Sequence, residues 1–477
     1  MSESSSKPTL VAIHGHLYQP PREDPWTAAV PVEPSAAPFH DWNERITDEC
    51  YRPNMQAQFG DERRNNYQRI NFDIGPTLTA WMHNHAPDVL DGLVAADRLN
   101  HASTAHGPAV AHPWVHAILP LCSDADKMTL IHWGIAEFEH RFGRYPEGMW
   151  LPETAMDLAT LRAMRDAGIR FTMAAPAQVM AQSDTNGKWS APEAKGDPLR
   201  ISLGEGRCII VVPYHGPLSS SVAFGGALND GVHFANAIEV EAVTSSCVIV
   251  ATDMESYGHH HDFGVMALVS MLESLGRRAT LRVATVAEIV AEIPAVDGVL
   301  ALPSAWSCAH GIERWRSDCG CRSGGESAHN QVWRAPLRSA LDALRDAVTQ
   351  MTDLAADFVN VVSARNAYVD VLLNPARWTD FAAEHLVAAG DPQRAQTYLE
   401  LQRHLLMMYS SCGWFFDDAA GHETLIVLRH ARRAIELVGE LGGVDCEPEF
   451  VQRLAPMYSD VYELDGREVW ARLTHSR

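Results

Sequence analysis

The stretch Thr9-Leu10-Val11-Ala12-Ile13-His14 is a short run of apolar and β-branched residues that ends in a histidine. Runs of this length and composition are typical of a fully buried strand in a parallel sheet. Strand-sized runs of the same character recur at Met149–Leu151, Phe171–Ala174, Cys208–Pro213 and Cys247–Thr252. The sequence therefore predicts several buried parallel strands in an α/β fold.

Segments with apolar residues at helical spacing separate these strands. The clearest are Asp126–Phe142, which ends before Gly143, and Leu158–Ala167, which ends before Gly168. Glycine directly after a periodic segment is a common helix stop. Strands that alternate with helices in this way predict βα units around a parallel sheet. Gln182–Gly206 interrupts the alternation and predicts a loop or a hairpin.

The strand pattern stops after about residue 335, and the remaining segments have helical periodicity. These segments are Leu337–Val362, Trp378–Ala389, Pro392–Met408 and His422–Leu441. We therefore expect a catalytic domain at 1–300, a Trp- and Cys-rich loop region at 301–335 and a C-terminal helical domain at 336–477. A barrel of about 250–300 residues and a second domain would also fill a chain of 477 residues.

Composition and charge limit the partners that the chain can have. It has 60 acidic and 38 basic side chains, which give a formal net charge of −22. Nucleic acid and anionic membrane surfaces both require a basic face on the protein, so we expect neither partner. The sequence has no membrane-spanning stretch and no signal-peptide pattern, and its nine cysteines are odd in number and widely spread. These features favour a cytoplasmic protein, and none of them indicates an oligomeric state.

Three polar clusters follow predicted strands. They are His14–Pro20, Trp150–Glu153, and Thr252–Gly258 with the histidines His259, His260 and His261 after it. The carboxyl ends of barrel strands meet on one face, where barrel enzymes hold their catalytic groups. Glu153 and Asp253 could then face each other across a cleft, and two facing carboxyl groups can cleave a glycosidic bond. Each cluster taken alone could instead be a polar rim at the end of a strand.

The clusters resemble the motifs of glycoside hydrolase family 57, which includes α-amylases, glucanotransferases and glucan-branching enzymes. The family's His-Gln-Pro motif is similar to His16 and Gln19-Pro20, with Leu17-Tyr18 inserted. Its nucleophile motif, aromatic-x-Pro/Ala-Glu, is similar to Trp150–Glu153, and its acid/base motif, Asp-x-Glu-x-aromatic-Gly, is similar to Asp253–Gly258. Order and spacing agree over about residues 8–275, and Trp306–Trp315 and Ser411–Asp418 resemble an additional C-terminal domain of one bacterial branch.

The resemblance implies a distorted (β/α)7 barrel with a C-terminal α-helical domain. It also implies a retaining glycoside hydrolase or transglycosidase that acts on α-linked glucans, binds oligo- or polysaccharides and requires no cofactor. By position, Glu153 corresponds to the nucleophile and Asp253 to the general acid/base. The expected substrate contacts are His14, His16, Gln19, Trp150, Glu255, Tyr257, His259, His260, Trp306 and Trp315, with His14 replacing His16 if the insertion shifts the motif.

The chain departs from the family at its second motif, a Gly-x-Glu, because His106-Gly107 brings no carboxylate. Two other classes stay open, the first because of the histidine-rich strand ends and the second because of the missing motif. One is a metal-dependent hydrolase similar to α-mannosidases or deacetylases, in which His14, His16, Asp253 and some of His259–His261 bind an ion that activates water. The other is a glucan-binding protein without activity. The residues also do not separate hydrolysis from transfer, which depends on how well an acceptor competes with water.

The segment Trp306–Cys321 contains three thiols and one imidazole, at Cys308, His310, Cys319 and Cys321. Zinc favours this ligand set in tetrahedral geometry, but the Cys-x-His and Cys-x-Cys pairs are closer in sequence than in most zinc sites. A structural zinc is one hypothesis for this segment. The alternative is a substrate-facing loop in which Trp306, Arg314, Trp315 and Arg316 make the contacts.

Overall fold

The computed structural model describes residues 7–57, 65–184, 186–192, 196–324 and 330–473. The chain divides into two compact units. The first consists of Met1–Gln19, Val32–His112 and Arg141–Leu302, and the second of Pro20–Pro31, Pro113–His140 and Pro303–Arg477. The expected domain limits at residues 300 and 335 stay a prediction.

The strands of the first unit are short and mostly buried. They are β1 (Thr9–Leu17), β2 (Asn71–Ile74), β3 (Ala109–Val110), β4 (Phe171–Ala174), β5 (Val179–Ser183), β6 (Trp189–Ser190), β7 (Leu199–Gly204), β8 (Arg207–Pro213), β9 (Cys247–Asp253), β10 (Leu281–Val283) and β11 (Val296–Leu300). The runs predicted at Thr9, Phe171, Cys208 and Cys247 are all strands, while Met149 forms only isolated bridges.

Parallel pairing between neighbouring strands forms a closed ring. β1 pairs with β2 and β9, β2 pairs with β3, and β4 pairs with β8. The bridges Ala111↔Met149 and Gly148↔Phe171 insert a short extended segment between β3 and β4. The ring closes where the N–H of His215, just after β8, donates to the Ile249 carbonyl in β9 at 2.7 Å. These positions follow chain order and form the predicted distorted (β/α)7 barrel.

The register of β1 places the polar residues of three strands at one level. His16 is the Cα partner of Asp73 in β2 on one side and of Asp253 in β9 on the other. His14 and His16 are two residues apart, so their side chains point to the same face of the strand. Three neighbouring strands therefore present polar groups together at their carboxyl ends.

The helices of the first unit begin at recognisable caps. Asp157 accepts from Thr160 N, Asp230 accepts from His233 N, and Thr285 forms a capping box with Glu288. A π-helical segment, Thr47–Tyr51, lies between the first two α-helices. The α-helices are Trp42–Ile46, Arg52–Gln56, Pro76–His85, Pro87–Thr104, Leu158–Asp166, Gly216–Ala223, Gly231–Ala242, Gly264–Gly276 and Val286–Glu292.

The region predicted as a loop or hairpin at Gln182–Gly206 belongs to a side extension of the barrel. Here β7 and β8 form an antiparallel hairpin, and β11 pairs with both β7 and β5. The sheet order is β4-β8-β7-β11-β5-β6. The hairpin alternative is therefore correct for the last part of this region.

The second unit is mainly helical, as predicted. The expected helix Leu337–Val362 instead ends at Gln350, and a new helix begins after Asn360, whose side chain accepts from Ser363 N. The α-helices are Asp124–Phe142 (its last two residues belong to the first unit), Arg334–Gln350, Val361–Ala367, Val369–Leu373, Trp378–His385, Pro392–Met407, Cys412–Phe415, His422–Glu440, Glu447–Leu454 and Gly466–Leu473, with a small hairpin of β12 (Tyr458–Ser459) and β13 (Leu464–Asp465). Among the described residues, no helix is long and apolar enough to span a membrane.

Candidate active site

The centre of the site is a carboxylate that binds two histidines. Asp73 Oδ1 lies 3.0 Å from His14 Nε2, and Asp73 Oδ2 lies 2.8 Å from His16 Nδ1. Burial lowers the pKa of His16, but the charge and hydrogen bond of Asp73 outweigh it and raise that pKa to about 9. At His14 burial is the largest influence and lowers the pKa. Burial would raise the pKa of Asp73, but the charges and hydrogen bonds of the two imidazoles outweigh it and hold that pKa well below its usual value. The group therefore consists of an ionised Asp73, a protonated His16 and a neutral His14.

Aromatic rings hold these histidines in place. The Trp150 indole stacks on His14 with ring centroids 4.7 Å apart and on His16 at 5.4 Å. His16 also stacks on His112 at 5.7 Å and on Tyr18 at 5.9 Å. His14 and Trp150 are each 0 % exposed, so the structure does not support their expected contacts with a sugar. They position His16 instead.

Asp253 ends β9 and is exposed to solvent, although many protein atoms surround it. This crowding raises the pKa of Asp253, and His16 and His260 oppose the rise only in part. The carboxyl of Asp253 is thus accessible and tends to hold its proton.

Glu255 is a second carboxyl, buried beside Asp253. Burial and the charge of Asp253 raise the pKa of Glu255 to about 7, whereas the hydrogen bond from the Tyr51 hydroxyl lowers it. Gln19 Nε2 also donates to Glu255 Oε1 at 3.4 Å. The hydroxyl-bearing ring of Tyr257 is 0 % exposed, so the structure does not support its expected role as an open face for a sugar.

The histidines after β9 differ from one another. His259 is half-buried, and its Nδ1 forms a very short hydrogen bond with Glu49 Oε2. The edge of its ring meets Trp42 at 5.8 Å. His260 is exposed, and partial burial and the charge of His259 lower its pKa. His260 is therefore a neutral group near neutral pH that stays free to meet a ligand.

Glu153 lies after the short extended segment at Met149 and is 8 % exposed. Its backbone has φ 56° and ψ 20°, and Thr154 follows with φ 47°. Two consecutive non-glycine residues in the left-handed region cost about 1–2 kcal/mol each and are held by their surroundings. Gln178 supplies this support because its Oε1 accepts from Thr154 Oγ1 at 2.8 Å and its Nε2 donates to the Thr154 carbonyl at 2.9 Å.

The remaining predicted residues lie in the second unit. Trp315 is 0 % exposed, and its carbonyl accepts from Arg338 Nε, so the structure does not support its expected sugar contact. Trp306 is half-buried and stays a prediction. The ligand atoms of four predicted zinc-site residues all lie within 4.8 Å of one another: Cys308, His310, Cys319 and Cys321.

The sequence matches the model of a known family, described as Glycosyl hydrolase family 57, over residues 13–302, which is more than half of the chain. The chain belongs to glycosyl hydrolase family 57. This membership confirms the predicted enzyme class, a glycoside hydrolase or transglycosidase. Residues 329–477 match a second family model, described as a domain of unknown function, DUF3536. No curated protein matches the sequence significantly.

Solved structures of amylases and of a family-57 branching enzyme share this fold at low sequence identity. An exo-type maltose-forming amylase from Pyrococcus sp. ST04 is 14% identical, with 98% of this chain and 88% of that chain covered and a TM-score of 0.72. A branching enzyme from Thermococcus kodakaraensis is 14% identical, with 98% and 96% covered and a TM-score of 0.60. The α-amylase AmyC from Thermotoga maritima is 14% identical, with 97% and 99% covered and a TM-score of 0.56.

The sequence alone did not point to several residues of this candidate site. Asp73 had one usable signal, since it is a lone carboxylate inside the apolar strand Asn71–Ile74. Tyr51 and Glu49 had none, because they lie in a π-helical turn whose contacts with Glu255 and His259 join residues more than 200 positions apart. Gln178 likewise reads as an ordinary loop residue until its contacts with Thr154 are seen.

Proposed function

We propose that this family-57 chain is a retaining glycoside hydrolase or transglycosidase of α-linked glucans, with Glu153 as nucleophile and Asp253 as general acid/base. The observation that carries the proposal is the state of Asp253, which is open to solvent while its surroundings raise its pKa. An acid catalyst needs this combination, because it must reach the substrate and still hold a proton near neutral pH.

The reaction would proceed in two displacements. The Glu153 carboxylate attacks the anomeric carbon while Asp253 gives its proton to the departing glycosidic oxygen, which leaves a glycosyl ester on Glu153. Asp253, now a carboxylate, takes a proton from water or from an acceptor hydroxyl, which attacks the ester and frees Glu153. Two inversions restore the original configuration, so the product keeps the anomeric form of the substrate.

The Asp73–His16 pair supports this exchange of protons. His16 is protonated and lies level with Asp253 in the neighbouring strand. Its positive charge favours the ionised form of Asp253, which the second displacement needs, while the crowded surroundings favour the protonated form for the first. Opposing influences of this kind let one carboxyl act as acid and then as base.

The proposed substrate is a neutral, hydroxyl-rich α-glucan, and the names of the solved relatives, amylases and a branching enzyme, support this choice. We propose His16, Gln19, Glu255, His259 and His260 as the groups that contact its hydroxyls. The proposed chemistry needs no cofactor, because both reacting groups are carboxyls. A cytoplasmic location is proposed from the nine cysteines, which are all free thiols.

The metal-dependent alternative has less support from the arrangement of side chains. Among the described residues, the groups whose ligand atoms lie together do not combine Asp253 with His14 or with the histidines after β9. Instead His14 and His16 both bind Asp73.

The test is product analysis on maltooligosaccharides and glycogen, with and without a chelator. We expect activity that the chelator does not remove and products that retain the α configuration in NMR spectra taken during turnover. Longer or branched products would identify a transferase, and shorter ones a hydrolase. Loss of activity with a chelator that leaves the circular dichroism spectrum and the unfolding midpoint unchanged, reversed by added metal, or β-configured initial products, would contradict the proposal. Binding of glycogen without any turnover would identify the non-catalytic alternative.

A further inference from the structure

Four side chains of the second unit, Cys308, His310, Cys319 and Cys321, converge on one point. Cys308 Sγ lies 4.0 Å from Cys319 Sγ and 3.9 Å from Cys321 Sγ. Cys321 Sγ lies 3.6 Å from His310 Nδ1. All four ligand atoms lie within 4.8 Å of one another. This arrangement brings together two pairs that are separated by the turn around Glu313–Trp315.

The separations match a tetrahedron around a zinc ion. Zn–S bonds of about 2.3 Å and a Zn–N bond of about 2.0–2.1 Å at tetrahedral angles place two sulfurs about 3.8 Å apart and a sulfur about 3.6 Å from a nitrogen. The three separations of 4.0, 3.9 and 3.6 Å are close to these values. The tight spacing in sequence is thus no obstacle, because the turn supplies the geometry that Cys-x-His and Cys-x-Cys lack.

A disulfide explains the geometry less well. Bonded sulfurs lie about 2.05 Å apart, and a disulfide would use only two of the three thiols. Here Cys308 is almost equally far from Cys319 and Cys321, and His310 adds a nitrogen ligand to the group. Three sulfurs and one imidazole nitrogen that all lie within 4.8 Å of one another fit a coordination shell better than a bonded pair.

The surroundings balance the charge that such a shell would carry. Three thiolates and a neutral imidazole around Zn²⁺ give a net charge of about −1. The Arg334 guanidinium is 0 % exposed, and its Nη1 lies 3.9 Å from Cys319 Sγ while also donating to the Cys321 carbonyl at 3.1 Å. A buried cation beside ligand sulfur satisfies both its own charge and that of the metal site.

We infer that Cys308, His310, Cys319 and Cys321 form a structural zinc site that fixes the segment Trp306–Arg322 on the helical unit. The segment is also held where Arg314 lies over the Phe415 ring at 3.8 Å and donates to the Phe415 carbonyl. All four positions are filled by protein atoms, so the ion has no open position for a substrate and acts structurally.

Zinc content of the purified full-length chain tests the inference. The chain should be produced without a metal-affinity tag, dialysed exhaustively and analysed for metals by mass spectrometry. We expect about one zinc per chain that stays bound through dialysis. After replacement by Co²⁺, absorption bands of tetrahedral thiolate coordination should appear. Less than about a tenth of a zinc per chain, even after growth and refolding with added zinc, would overturn the inference.

Variants assign the zinc to these residues. Cys319→Ser and Cys321→Ser should each lose the zinc, whereas Cys122→Ser should keep it. Cys122 is a matched control because it is a free thiol in the same unit that donates to the Ile118 carbonyl, as a serine hydroxyl could. If a variant of Cys319 or Cys321 does not fold, the cobalt spectrum of the wild-type chain still shows whether a tetrahedral thiolate site is present, and the absence of its bands would overturn the inference. A mass two hydrogens lower, from a disulfide, or iron with inorganic sulfide in place of zinc, would also overturn the inference.

Discussion

His16 and Asp73 form a buried ion pair between adjacent barrel strands, with His16 Nδ1 2.8 Å from Asp73 Oδ2. The pair does two things at once. It raises the pKa of His16 to about 9 against the effect of burial, and it holds a positive charge beside Asp253. If Asp253 is the proposed general acid/base, a group that must both give and take a proton is adjusted by a residue, Asp73, that need not touch the substrate.

Asp73→Asn should remove the charge that keeps His16 protonated. Burial would then lower the pKa of His16 below its ordinary value, and the variant should lose about 3 kcal/mol of stability at pH 6, since a buried pair has lost one partner. The stability that His16 contributes is complete below its unfolded-state pKa of 6.5 and is lost as pH rises through its folded-state pKa of about 9. The stability that Asp73 contributes is complete above its unfolded-state pKa of 3.8 and is lost as pH falls below that value. Urea unfolding at several pH values measures the difference.

The control for this prediction is Asp297→Asn, which breaks the exposed Arg200–Asp297 pair. An exposed pair contributes about 0–1 kcal/mol, so this variant should unfold almost as the wild-type chain does. Equal losses in the two variants would show that the buried pair has no special role. A loss for Asp73→Asn that does not shrink between pH 6 and pH 10 would contradict the assigned charge of His16.

Glu153→Gln should abolish turnover while the fold survives. The amide fills the same space but cannot attack an anomeric carbon, so we expect kcat to fall about 10³-fold or more. Circular dichroism and the unfolding midpoint should stay near those of the wild-type chain. Glu205→Gln, at an exposed turn of the same unit, serves as the control with full activity. Wild-type rates for Glu153→Gln on every accepted α-glucan would rule out Glu153 as the nucleophile.

The barrel was predictable because its strands are buried on both faces and read as continuous apolar runs, as in Thr9–Leu17 and Cys247–Asp253. The position of Glu153 and Asp253 was predictable because each follows a strand-like run at the end where barrels place catalytic groups, and their catalytic roles stay a proposal. Trp150 and Tyr257 were assigned to the substrate because aromatic rings suit sugars, but a sequence does not show which rings are covered. The partners Tyr51 and Gln178 were missed because their roles come from long-range contacts.

Gln178→Ala should slow catalysis, although Gln178 is proposed only to support the backbone beside Glu153 and not to contact the substrate. It removes the hydrogen bonds that hold Thr154, and with it the left-handed backbone of Glu153. A nucleophile displaced by about 1 Å can cost about 10²-fold in rate, so kcat should fall by about 10–100-fold with little change in KM. Gln178→Glu keeps the acceptor for the Thr154 hydroxyl but loses the donor to the Thr154 carbonyl. Its kcat should therefore lie between those of the wild-type chain and Gln178→Ala. Unchanged kcat in Gln178→Ala would show that Glu153 holds its geometry without this support.

Glu255→Gln should stabilise the chain at alkaline pH and shift its activity profile. Burial and the charge of Asp253 raise the pKa of Glu255 from 4.5 to about 7. The folded chain therefore keeps a proton that the unfolded chain releases, and its stability falls by up to about 3 kcal/mol as pH rises from 4.5 to above 7. Glutamine cannot ionise and still offers Oε1 to the Tyr51 hydroxyl. The variant should consequently gain stability at pH 8 relative to pH 4.

The same substitution removes a negative neighbour of Asp253, so the pKa of Asp253 should fall. The alkaline limb of kcat/KM, where Asp253 loses the proton that it must donate, should then move to lower pH. Thermal unfolding at pH 4 and pH 8 and a pH profile of kcat/KM measure the two effects, with Glu205→Gln as the control. A stability difference from the wild-type chain that is equal at both pH values would mean that Glu255 does not titrate between them. An alkaline limb that stays in place would mean that Glu255 does not influence Asp253.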